Sequence, residues 1–270
     1  MQRLAKFLAL ASVVAFPALA EGRRDSACLA MSQGQARIIP AAFGAPLDQD
    51  SVWIRFLGHA SFALESPGGQ VAVTDYTGFI GNPDVVPDVV TMNIAHDTHF
   101  TETPDPRIPL VLRGWGDLGL PAKIDTEVGD LRVRNVTSDL RGPFGEGGRK
   151  DGNSIFIFEA AGLCIGHLGH LHQVLSDEQH AAIGRLDVVM VPVDGGFTMD
   201  ADSMAAVVTR FRARLVLPMH WFSADRLTDF LSRMQPAFEV QIASGPEVEV
   251  SWDSLPRRPT ILVLEPQLLP

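Results

Sequence analysis

Thr91-Met92-Asn93-Ile94-Ala95-His96-Asp97-Thr98-His99-Phe100-Thr101 closes a hydrophobic run, residues 85–92, and sets two imidazoles three residues apart just beyond it. Imidazole is the commonest protein ligand of zinc-like metals. The spacing alone is not specific, because two histidines this close occur in many proteins where they only pack or hydrogen-bond. The pattern returns further on: Gly166-His167-Leu168-Gly169-His170-Leu171-His172 and Pro218-Met219-His220-Trp221 also put histidine directly after an apolar run. With His59, seven of the eight histidines fall at expected strand ends or in the loops that follow, and only His180 falls on an expected helix. Loops held by a rigid sheet are where ligands from distant parts of a chain converge.

Outward from that stretch, the rhythm of the chain is that of a mixed α/β layered domain. Residues 52–65 read as two short strands around a tight Gly turn, 70–74 as the next strand running into Asp75, and 111–113, 123–126 and 131–136 as further short strands. Residues 139–153, with five glycines and little apolar content, read as a long flexible loop. The second half alternates. Strands are expected at 154–159, 163–166, 187–193 and 215–218, and helices at 176–183, 202–212 and 224–234, the first with Ser176 as N-cap and Gln179 completing a capping box.

Residues 1–20 carry Arg3 and Lys6, an apolar run over 7–16 and the ending Ala18-Leu19-Ala20, the order of a secretory signal peptide cleaved before Glu21. Residues 21–270 then form a single domain with an N-terminal arm, periplasmic or secreted, with no stable membrane anchor. Loss of two basic residues takes the formal charge from −10 to −12, which disfavours nucleic acid, whose binding rests on Lys and Arg. A small-molecule substrate remains. Cys28 and Cys164 are the two cysteines; either they pair in an oxidising compartment or Cys164 is a buried free thiol, and their distance in sequence settles neither.

Seven motifs occur in one order: Gly58-His59-Ala60-Ser61-Phe62, Thr74-Asp75-Tyr76, the His96/His99 stretch, Gly152-Asn153-Ser154-Ile155-Phe156, His167-Leu168-Gly169, Val191-Pro192-Val193 with Gly195-Gly196, and Pro218-Met219-His220. In that order the chain resembles the metallo-β-lactamase superfamily, most of all its lactonase-like small-molecule hydrolases, over roughly residues 52–222. The resemblance implies a four-layer αββα sandwich with metal held at one edge between the sheets. It also exposes departures from the family signature His-x-His-x-Asp-His, whose positions here read Ile94, His96, Thr98 and His99. The bridging Asp expected after His-Leu-Gly is His170, whereas the last ligand, His220, is in place.

Sorted this way, the expected metal ligands are His96, His99, His170 and His220. Three neutral imidazoles and a water make an adequate tetrahedral zinc site, so one zinc per chain is expected, with His99, His170 and His220 at its centre. His96 as a fourth ligand would close the site. Thr98 stands where the family has an aspartate and, with a hydroxyl that can donate or accept a hydrogen bond, is one candidate catalytic residue; Asp194 is the candidate catalytic carboxylate in the aspartate's stead, against its reading as a turn residue before Gly195-Gly196. Asp75, His59 and His167 are expected behind the ligands as supporting groups. The function implied is an exported metal-dependent hydrolase of an ester, lactone or similar small molecule. Its alternative is a non-catalytic metal- or ligand-binding descendant of the same fold.

Overall fold

A computed structural model describes residues 26–29, 42–117, 120–142, 148–235 and 237–270; the expected signal peptide over residues 1–20 lies outside them. Two mixed sheets face each other. The first is built from β1 (Ser51–Gly58), β2 (Ser61–Glu65), β3 (Val71–Val73), β4 (Val89–Met92), β5 (Leu110–Arg113) and, from the far end of the chain, β13 (Glu247–Ser251), in the order β13-β1-β2-β3-β4-β5. The second holds β6 (Asp125–Val128), β7 (Leu131–Leu140), β8 (Arg149–Ala160), β9 (Leu163–His167), β10 (Val188–Pro192), β11 (Leu215–Met219), β12 (Glu239–Ile242) and β14 (Thr260–Val263), ordered β12-β14-β11-β10-β9-β8-β7-β6.

In each sheet one part is parallel and the rest antiparallel. β3, β4 and β5 run parallel, as do β9, β10, β11, β14 and β12. Of these, β4, β10 and β11 are buried along their whole length, which is why they read as continuous apolar runs, whereas the edge strands β5 and β12 are partly exposed. Between the sheets lies a core that includes Ile54, Phe56, Phe62, Phe156, Phe158, Met190 and Leu217. Helices α1 (Asp177–Ile183), α2 (Ala201–Phe211) and α3 (Ala224–Met234) cover the outer face of the second sheet through Ile183, Met204, Val207, Val208, Phe230 and Met234. The outer face of the first sheet is covered by loop residues such as Phe43, Ile80, Ile108 and Leu269, packed on Trp53, Val90 and Met92.

Local chemistry sets the helix starts. Ser176 accepts from Gln179 N while Gln179 Oε1 accepts from Ser176 N, closing the capping box expected from sequence. Within the expected loop over 139–153, residues 139–140 and 149–153 are strand instead. β7 and β8 pair out to Leu140↔Arg149, with Thr137 Oγ1 donating to Asp151 and Asp151 N donating to Asp139. Cross-strand hydrogen bonds over such a length outweigh the weak local preferences of glycine-rich sequence. Cys28 and Cys164 form a disulfide that ties the N-terminal turn Ala27–Leu29 to β9, with a Cα–Cα distance of 5.6 Å.

Candidate metal centre

At one edge of the sandwich the carboxyl ends of β3 and β4 in the first sheet meet those of β9, β10 and β11 in the second. The loops there carry Asp75, His99, His170, Asp194 and His220, and the β1–β2 turn adds His59. Crevices beyond the carboxyl ends of parallel strands are the usual ligand sites of α/β sheets. The sheets are joined at this point by a bridge between Ile94 and Asn153 and by Ser154 N donating to Asn93 O.

His59, His99 and His220 bring one ligand atom each to within 4.8 Å of one another. Behind two of them stands a carboxylate. His99 Nδ1–H donates to Asp75 Oδ2 at 2.5 Å, and His220 Nδ1–H to Asp194 Oδ2 at 2.8 Å. A carboxylate can only accept, so both rings carry their proton on Nδ1 and keep a lone pair on Nε2 for a metal. The backbone shows what this convergence demands: His59, Asp75 and His220 adopt left-handed φ of 53°, 50° and 58°. Non-glycine residues are uncommon there and gather at functional sites. His220 N also donates to His59 O at 2.7 Å, locking the two turns together.

His59 therefore belongs to the cluster and not behind it, where its motif would put it. His170 takes a different place from that expected. Its ring lies 4.8 Å from His99 and 5.1 Å from His220, centroid to centroid, but its Nδ1 faces His172 Nε2 at 2.6 Å. Arg141 N–H occupies His172 Nδ1, so His172 donates from Nε2 and neutral His170 carries its proton on Nε2. In this arrangement His170 presents an N–H donor where a ligand needs a lone pair.

The other expected site residues border the cluster, the His96 ring lying 5.6 Å from that of His99 and 6.2 Å from that of His170. His96 is exposed, its Nδ1 3.1 Å from the Thr98 hydroxyl, and Thr98 is exposed as well. Asp194 is buried with both oxygens occupied: Oδ1 accepts from Gly196 N and Thr198 N, and Oδ2 from Thr198 Oγ1 and His220. A carboxylate so engaged positions His220 and has no free lone pair for abstracting a proton, so the structure does not give it the catalytic place assigned from sequence. Burial would raise its pKa, but these hydrogen bonds hold it below the usual carboxylate range. His167 donates from Nε2 to Ala60 O and accepts at Nδ1 from Asn93 and Gly169, which braces the β1–β2 turn carrying His59. Ile94, in place of the family's first histidine, is buried beside β8.

Sequence reading passes over two asparagines. Asn153 Oδ1 accepts from His170 N, and Asn93 Nδ2 donates to Ser154 O. Gly169 has a φ of +61°, and a Cβ there would fall 2.4 Å from Asn153 Oδ1 and 2.6 Å from Asn93 Nδ2, so this pair admits only glycine. Both asparagines lie in quoted motifs, but their role depends on contacts across the two sheets.

The donor set suits a metal of the zinc type, since buried neutral imidazoles are its preferred nitrogen ligands. Burial, reinforced by His220 and His99, lowers His59 to about 4 from its ordinary 6.5. Burial, with His99 and His220 adjacent, lowers His170 to about 2, and burial with the Arg141 charge lowers His172 to about 4. Above pH 6.5 these rings are neutral in the folded and unfolded chain alike. Below it the unfolded chain takes up protons that the folded chain refuses, so the metal-free protein is expected to lose stability as pH falls from 6.5 through 4. Urea midpoints at pH 7 and pH 4.5 measure this, and equal midpoints would contradict it.

A family model, the Beta-lactamase superfamily domain, matches residues 53–220, which span the strands and turns just described. The chain belongs to the beta-lactamase superfamily. Curated relatives named UPF0173 metal-dependent hydrolase, from Methanosphaerula palustris and Methanoculleus marisnigri, are 26% and 28% identical, covering 72% and 73% of this chain and 97% and 96% of theirs. Among solved structures, a proposed zinc-dependent hydrolase of the metallo-β-lactamase superfamily from Thermotoga maritima is 26% identical with a TM-score of 0.58, covering 79% of this chain and 98% of that one. Igni18, a metallo hydrolase from Ignicoccus hospitalis, is 17% identical with a TM-score of 0.50, covering 69% of this chain and 91% of that one, and shares the fold. The fold is that of the metallo-β-lactamases, and the chain is a metal-dependent hydrolase of that superfamily.

Proposed function

We propose that this chain is an exported hydrolase of an ester, lactone or related small molecule, working with one zinc held by His59, His99 and His220. The observation that carries the reading is the histidine triad, His99 and His220 buried and His59 half-buried, with Asp75 and Asp194 orienting two of its rings. Zinc in a three-imidazole set supplies Lewis acidity and makes water acidic enough to react near neutral pH. The chain's own groups do the rest. Asp75 and Asp194 hold their histidines in the ligating tautomer. Beside the triad, the Nε2–H of His170 is a hydrogen-bond donor for a substrate oxygen on which negative charge develops. Its neutral state is sustained by burial and by the neighbouring His99, His220 and His172, and the His172 and Arg141 contacts behind it set its tautomer. Thr98, hydrogen-bonded to His96 on the surface, takes no part in this arrangement.

Export is supported by the signal-like order of residues 1–20 and by the Cys28–Cys164 disulfide, a bond that persists in oxidising compartments. The acidic balance supports a small-molecule substrate over nucleic acid. The test is elemental analysis of the exported protein with an ester and lactone panel run before and after chelation. We expect an N-terminus at Glu21, about one equivalent of zinc, and turnover that chelation abolishes and zinc restores. Turnover that survives complete metal removal would overturn the reading, as would exported protein with no affinity for zinc.

A further inference from the structure

The loop that follows β10 is clamped from both sides. Asp194 accepts from Gly196 N, Thr198 N and the Thr198 hydroxyl, while Arg141 Nη2 donates to the carbonyls of Gly196, Phe197 and Thr198. With donors and acceptors both engaged, this loop holds Phe197 in solvent, 70% exposed. Phe222, two residues beyond His220, is 58% exposed and meets Phe197 edge to face at 5.3 Å between centroids. The Phe222 ring also lies 4.9 Å from His220 and 5.8 Å from His59. Its neighbour Trp221 turns the other way, into the core against Phe56.

Scattered exposed apolar residues are ordinary, but two large rings held in contact beside a ligand set keep apolar surface in water at the one place where a ligand must arrive. Rings buried by a ligand contribute through area and through aromatic packing. We propose that Phe197 and Phe222 form the apolar wall that receives the acyl chain of the substrate, so that the enzyme prefers esters of medium-chain acids to acetates. This rests on the ester reading of the triad. The wall touches two triad histidines and so stands beside the reacting carbon, and the acyl chain is apolar from its first carbon beyond that one, whereas the leaving group begins with a polar oxygen, so the acyl side is the one that fits apolar rings. In the reaction the acyl carbon–oxygen bond breaks, the oxygen of water bonds to that carbon, and one proton of the water ends on the leaving oxygen.

The experiment uses the zinc-loaded protein, wild type against Phe197→Ala, Phe222→Ala, the double variant and the double leucine variant. One arm measures kcat/KM for p-nitrophenyl acetate, butyrate, hexanoate and octanoate, where the leaving group is constant. A second measures calorimetric binding of acetate, butyrate, hexanoate and octanoate themselves. For wild type, kcat/KM and affinity should rise by about two- to fourfold per methylene, the effect of burying part or all of each one. The octanoate-to-acetate ratio should fall by at least about tenfold in the double alanine variant, and the leucine variant should retain part of it. Unchanged melting temperature and zinc content show that these variants are folded. A ratio preserved in the double alanine variant overturns the wall. If no ester is turned over by any protein, the ester reading fails, and the binding ratio of octanoate to acetate still decides the wall by the same criterion.

Discussion

His99→Ala is expected to lower metal affinity by at least about 100-fold, beyond what the loss of a supporting partner to a ligand costs, and to destabilise the metal-free protein as well. His99 stands at the centre of the cluster, its ring 4.8 Å from His59 and 5.1 Å from His220. It is also the hydrogen-bond donor to Asp75, a carboxyl group with no exposure whose Oδ1 has no partner among the described residues. Removing the imidazole strands that group, a cost on the order of 3 kcal/mol for a buried polar group left unsatisfied. His59 is only half-buried and its ring packs against those of His99, His220 and Phe222, so His59→Ala should lose metal with a smaller fall in metal-free stability. Zinc content after equilibrium dialysis and urea unfolding of the stripped proteins separate the two effects. Zinc content equal to wild type in His99→Ala would remove this residue from the metal centre.

The double variant Cys28→Ala/Cys164→Ala is expected to lose about 3–5 kcal/mol of stability, the range for a bridge that closes a long loop. The bond spans 136 residues of sequence and anchors the turn at residues 26–29 onto β9, the strand whose end leads into His167 and His170. Without it the unfolded chain gains freedom while the folded core around Cys164, Leu168 and Ile183 loses a covalent tie. Urea unfolding with and without reductant measures the difference: oxidised wild type should be more stable than the variant, and reduced wild type should approach it. Equal midpoints for oxidised wild type and the variant would show that the bridge carries no stability.

Much of this molecule is legible in its amino-acid sequence. Apolar runs at β4, β10 and β11 identify buried parallel strands because burial on both faces leaves no polar alternation. The Ser176 capping box is a local exchange of hydrogen bonds, and it forms as its spacing requires. The length of β7 and β8 is not legible, since it depends on each strand having the other as partner. Nor are β12, β13 and β14, short segments whose pairing with β14, β1 and β11 brings together residues far apart in the chain.

The sequence by itself determined the class of the fold, the strand ends that carry histidine, and the departures at Ile94, Thr98 and His170. Only the tertiary structure decided which histidines form the cluster. His59 joins it because a left-handed turn after β1 brings its ring beside His220, whose backbone N–H donates to His59 O. His170 stands aside because a hydrogen-bond chain through His172 to the Arg141 backbone fixes its proton on the nitrogen a metal would need. Spacing along a chain specifies which residue types are available, whereas ligation depends on where lone pairs point, and that is set by partners from other strands.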